Sequence, residues 1–182
     1  MKVMYKSLLY KSFSVARFLW LRLWYRKRFT VARLSMIGER CGIFIFKHGR
    51  ITCTGRMILD DQVQLHARGL ILLGDRFCVN QYSRIVAHES IRIGDNVTIG
   101  QSVTILDHDH HFEKRDGKLE LDGYTTAPVR LGSNIWIGDK CTILKGVTIG
   151  DNVVIGAHTL IHKDVPSNVV VGGTPFKILK NL

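Results

Sequence analysis

LGSNIW IGDKCT ILKGVT IGDNVV IGAHTL IHKDVP, residues 131–166, is the stretch whose period decides the fold. An aliphatic residue recurs at 131, 137, 143, 149, 155 and 161, and Gly follows it at 132, 138, 150 and 156. A period of six matches neither the turn of an α-helix nor the plain alternation of a strand. It suits a short strand and a sharp turn, repeated, with Gly expected where the turn needs positive φ. Three such units close one coil, and stacked coils set each aliphatic side chain on the one below. The pattern therefore predicts an all-β chain, a parallel β-helix.

Upstream the sixes are less regular. They begin at Ile37 and Ile43, resume at Ile51, Met57 and Val63, and run on through Leu73, Val79 and Ile85 to Ile93, Ile99 and Ile105. With the later block this makes about six coils, the extra residues falling at corners where a solenoid tolerates them. Cys41, Cys53, Cys78 and Cys141 are far apart and form no CxxC pair, so all four are expected as reduced residues of the coils. His48, His66 and His88 stand singly and read most simply as structural or surface side chains.

The runs NIWIG (134–138), ILKGVTIGDNVVIGA (143–157), HKDVP (162–166) and GGTPFKILK (172–180) resemble those of the hexapeptide-repeat acyltransferases, in the sugar and xenobiotic O-acetyltransferase branch. That resemblance implies a left-handed coil, a homotrimer, acetyl-CoA as donor and a sugar or glycan hydroxyl as acceptor, as in surface polysaccharide or glycolipid biosynthesis. It implies no metal requirement and no nucleic-acid partner. Carried over position by position, it assigns coenzyme A to Trp136, Gly138, Asp139, Ala157, His162, Lys163, Lys177 and Lys180. Backbone groups would line the pantetheine path, and the lysines would meet the phosphates. It assigns the acceptor to Asn80, Tyr82 and His88.

Between Ile105 and Leu131 the repeat stops, and residues 107–127 are expected as an inserted loop that opens Asp107, His108, Asp109, His110, His111. Long insertions in a tight repeat are more often functional than decorative. An imidazole, with an ordinary pKa of about 6.5, is largely neutral at neutral pH and suits a general base on a hydroxyl. A nearby Asp can fix its tautomer. The resemblance places the catalytic histidine at the head of this loop, and a count from Val103 lands on His110. His108 is next in line, and Asp107 or Asp109 is the orienting carboxylate. The same cluster admits a metal-ligating reading, because gamma-class carbonic anhydrases share this kind of repeat. Those enzymes want two histidines five apart, whereas His158 and His162 are four apart.

The charge is lopsided. Of 26 Lys and Arg, eight lie within residues 1–28, where there is no Asp or Glu. The segment 1–30 reads as a basic amphipathic helix preceding a β-helix domain over 31–182. On it Leu9, Phe13, Ala16, Trp20 and Leu23 form one apolar stripe, with Leu8 and Leu19 beside it. Arg17 and Arg22 break any apolar run long enough to span a bilayer. Two uses stay open: a cap on the end of the solenoid, or a helix lying on an anionic leaflet. The expected location is cytoplasmic, with a peripheral place on the inner leaflet of the plasma membrane if the second use holds. A non-catalytic, membrane-tethered scaffold is the reading that dispenses with chemistry.

Overall fold

The computed structural model describes residues 8–182; the first seven residues of the basic segment lie outside them. Three parallel sheets wrap one apolar core in six coils, and a partial seventh follows. The cause is the inward register. Val31, Cys53, Leu73, Ile93, Leu131 and Ile149 stack in the first sheet. Ile37, Leu59, Val79, Ile99, Ile137, Ile155 and Val171 stack in the second. Ile43, Leu65, Ile85, Ile105, Ile143 and Ile161 stack in the third. Each of these residues is buried. The parallel β-solenoid expected from the repeat is therefore observed.

Two details of the expectation change. In the second coil the register residues are Cys53, Leu59 and Leu65, two places beyond Ile51, Met57 and Val63. Both sets face inward, because strand side chains alternate and a shift of two keeps the face. Of the glycines in the 131–166 block, those at 132, 138, 150 and 156 do not have positive φ, and only Gly146 does, with φ 78°. That conformation falls at corner residues such as Asn96, Asn134, Asn152 and Asn168, with φ between 56° and 62°, a region Asn tolerates. Their amides hydrogen-bond in a ladder from coil to coil. Glycine is needed for room instead: a Cβ on Gly138 would lie 2.6 Å from the Ala157 backbone nitrogen.

Both ends of the solenoid are covered. α1 (Leu8–Tyr25) lies across the first coil. Ser14 Oγ donates to the Ile37 carbonyl at 2.8 Å and Tyr25 Oη to that of Ile43 at 2.7 Å. Phe18 and Leu21 drop into the core, Phe18 edge-on to Phe29. The cap reading is thus realised, but through Ser14, Phe18, Leu21 and Tyr25, not through the stripe of Phe13, Ala16, Trp20 and Leu23, which faces outward. At the far end strand Lys177–Asn181 pairs antiparallel with Val169–Gly172, and Phe176 is buried against the last coil. All four cysteines are free thiols. Burial pushes the Cys41 thiol up to about 11 and raises the others, so they stay protonated at neutral pH.

The insertion is not a loop but a β-hairpin, with strand His108–Arg115 antiparallel to Lys118–Thr126. Asp116 and Gly117 form its two-residue turn with φ of 50° and 77°, the pair of positive values that a type I′ turn demands. The hairpin is exposed along nearly all its length.

Candidate active site

The site begins where the third sheet hands over to the hairpin. In Thr104–Leu106 alternation turns Ile105 inward and Leu106 outward, so the next residue, Asp107, points in. It is a carboxylate with 0% exposure. A buried charge must be hydrogen-bonded, and this one is. Its oxygens accept from the backbone N–H of His88 and of Glu89, both at 2.8 Å, and from His108 Nδ1 at 3.2 Å. Its carbonyl accepts from Ala127 N at 2.9 Å and closes the base of the hairpin. One residue thus ties the corner of the preceding coil to both strands of the insertion.

The bond to Asp107 fixes the chemistry of His108. With Nδ1 donating to the carboxylate, Nε2 carries the free lone pair. The ring of His88 lies on that of His108, centroids 3.6 Å apart and planes 3° from parallel. Tyr124, from the returning strand, stands edge-on to His88 at 4.3 Å and close to His110 at 4.7 Å. Burial, then the neighbouring His108, holds the His88 imidazole below its ordinary value.

This cluster overhangs the outer face of the third sheet. There Gln64 stacks on Arg84, and His66 on Val86 and Leu106. Together with His108, Asp109 and His110 they line a cleft of about 430 Å³. His66 Nε2 and Gln64 Oε1 are 3.0 Å apart, and burial followed by the nearby Arg84 lowers the histidine's pKa. Lys145 Nζ meets Asp109 Oδ2 at 3.1 Å on the far side. The cleft offers donors and acceptors suited to hydroxyl groups, beside an oriented imidazole.

Of the residues expected from sequence, the structure brings Asp107, His108, His110 and His88 together. Asn80 and Tyr82 sit at the corner before strand Arg84–Ala87 and do not line the cleft; Tyr82 is exposed there with φ 63°. The cleft instead uses Gln64, His66, Arg84, Val86 and Leu106. Their signal was the outward alternation of stacked strands, legible only once the coil register is known. Among the expected donor residues, Trp136 is exposed on the second sheet between Thr98 and Val154. Gly138 packs on Ala157. The Asp139 carboxylate accepts from Gln101 N at 2.8 Å and so holds a corner. His162 and Lys163 converge on Phe176, the ammonium 5.4 Å from the ring centre. Lys177 and Lys180 are exposed on the last strand. Among the described residues no three or more His, Cys, Asp or Glu are arranged to hold a metal ion.

Residues 128–163 match the family described as bacterial transferase hexapeptide (six repeats). That stretch carries the hexapeptide repeat of bacterial transferases. Its hexapeptide repeats imply the left-handed coil. The domain is 38% identical over 115 residues to the galactoside O-acetyltransferase of Escherichia coli (strain K12), covering 62% of this chain and 54% of that protein. It is 33% identical over 120 residues to the putative lipopolysaccharide biosynthesis O-acetyl transferase WbbJ of the same organism, covering 62% and 61%. Its fold resembles the crystal structure of a maltose O-acetyltransferase from Clostridium difficile 630, with a TM-score of 0.52 and 28% identity over 80% of this chain and 68% of that one. The chain thus spans little more than half the length of the curated relatives it matches.

Proposed function

We propose that this hexapeptide-repeat protein is an O-acetyltransferase that moves an acetyl group from acetyl-CoA to a hydroxyl of a sugar. The observation that carries the reading is the Asp107–His108 pair opening on a polar cleft. His108 Nε2 takes the hydroxyl proton as the oxygen attacks the thioester carbonyl. The carbon–sulfur bond then breaks, and the imidazolium returns the proton to the departing thiolate, leaving an acetyl ester and free coenzyme A. Asp107 stabilises the imidazolium throughout. Gln64, His66 and Arg84 are placed to hold the acceptor's other hydroxyls. The geometry favours His108 over His110 as the base, because only His108 meets a buried carboxylate. Lys163, Lys177 and Lys180 offer cations to the donor's phosphates. The names of the relatives, galactoside and lipopolysaccharide O-acetyltransferases, support a glycan acceptor in surface polysaccharide or glycolipid assembly. Homotrimeric assembly and a cytoplasmic location belong to the same reading.

The test is the acetyl-CoA-dependent acetylation of a panel of galactosides, glucosides and lipid-linked sugars by His108→Gln and His110→Gln. Loss of a general base costs about 10²–10⁴ in kcat/KM, and that loss is expected in His108→Gln. Wild-type turnover in His108→Gln with a collapse in His110→Gln would transfer the role to His110. Wild-type turnover in both would remove histidine base catalysis from the account.

A further inference from the structure

α1 has two apolar faces, and the solenoid uses only one. Ser14, Phe18, Leu21 and Tyr25 seat the helix on the first coil. About a third of a turn away, Phe13, Trp20, Leu23 and Trp24 point to solvent, Leu23 with 78% and Trp24 with 68% of its surface exposed. Trp20 and Trp24 stack on each other, ring centres 5.6 Å apart. An exposed apolar row of this kind on a helix already anchored by its other side calls for an occupant.

The charges around the row say which. Arg22, Arg26 and Lys27 are exposed and form no ion pair among the described residues, and no acidic residue occurs between 8 and 28. We propose that this outer face of α1 docks the protein on an anionic bilayer surface, the tryptophans and Leu23 entering the headgroup–acyl boundary and the cations meeting lipid phosphates. Indole rings sit well at that boundary, and basic flanks add electrostatic attraction to acidic lipids. No helix among the described residues is long and apolar enough to cross a membrane, so the helix lies on the surface. The inference is independent of the transfer reaction and would stand if the protein acetylated nothing.

The full chain is mixed with vesicles of phosphatidylcholine alone and of phosphatidylcholine with phosphatidylglycerol. The bound fraction is read by flotation, and indole depth by quenching with brominated lipid. Binding to the phosphatidylglycerol vesicles, weakened by salt, is expected. Arg22→Glu with Lys27→Glu should weaken it by more than roughly fivefold per charge. Trp20→Ser with Trp24→Ser should weaken it by at least about tenfold, with far-ultraviolet circular dichroism unchanged in both variants. Absence of binding to anionic vesicles at low salt would overturn the proposal, as would binding indifferent to both variants. Light scattering that shows a wild-type assembly dissolved by Trp20→Ser with Trp24→Ser, with no vesicle binding, would give the face to a second copy of the chain and overturn it equally.

Discussion

Replacing Asp107 by Asn separates the two tasks that the structure gives this side chain. The carboxylate is fully buried and accepts three hydrogen bonds: Oδ1 takes those of His88 N and His108 Nδ1, and Oδ2 takes that of Glu89 N. An amide of the same shape keeps only one acceptor oxygen. Its better orientation leaves the oxygen in the Oδ1 place, retains two bonds, and sets the NH₂ against the Glu89 N–H, donor facing donor. One bond to a charged group is then lost, worth about 1.5–3 kcal/mol, and a buried donor is left unsatisfied. Stability measured by urea unfolding should therefore fall by about 2–4 kcal/mol. The corner should still form, because the coil core beneath it is untouched. The catalytic loss has a different origin: under the proposed mechanism, the neutral amide would not stabilise the imidazolium formed on His108 in the transition state. Steady-state acetyl transfer should drop by about 10²-fold or more in kcat, with a smaller change in the KM for the acceptor, since the cleft residues Gln64, His66 and Arg84 remain in place. A variant that lost the expected stability yet kept kcat within about threefold of wild type would refute the reasoning. Asp107 would then be a strut between coil and hairpin, and the polarisation of His108 would play no part in turnover.

Two further outcomes follow from the geometry. Gly138→Ala places a methyl group 2.6 Å from the Ala157 nitrogen and 2.9 Å from the Ile155 carbonyl oxygen; backbone cannot swing aside, so two coils must part, and the urea midpoint should drop by the equivalent of about 1–3 kcal/mol. His66 and His88 both have folded-state pKa values below the ordinary 6.5. The unfolded chain therefore binds more protons than the native one as pH falls through that value, and stability declines with falling pH. Urea unfolding at about pH 7.5 and about pH 5.5 should show the decline, and His88→Asn should flatten it; a wild-type midpoint that is level across this window would contradict the assignment.

How much of this was legible from the residues depends on how local the signal is. The regular sixes of 131–161 predict the later coils residue for residue, because one aliphatic side chain per face is enough to define the stack. In the second coil Ile51 competes with Cys53, and Met57 with Leu59. Both members of each pair face inward, and only pairing with the next coil decides between them. The hairpin carried its own mark, Asp116-Gly117 between two runs of similar length, yet its strands lack the apolar alternation that normally announces strands, since both faces meet solvent. His108 and Asp107 were visible as a charged cluster. That His108 and not His110 meets the buried carboxylate follows from counting alternation outward from Ile105, a step that needs the strand and its end. Gln64, His66, Arg84, Val86 and Leu106 lie scattered between residues 64 and 106 and become neighbours only through the stacking of three coils. The helix shows the same limit from the other side. Its most obvious apolar stripe is the one turned away from the core, because Ser14 and Tyr25 satisfy carbonyls of the first coil while Trp20 and Leu23 have nothing beneath them. Composition announces which residues are apolar; only the neighbouring surface decides which of them it buries.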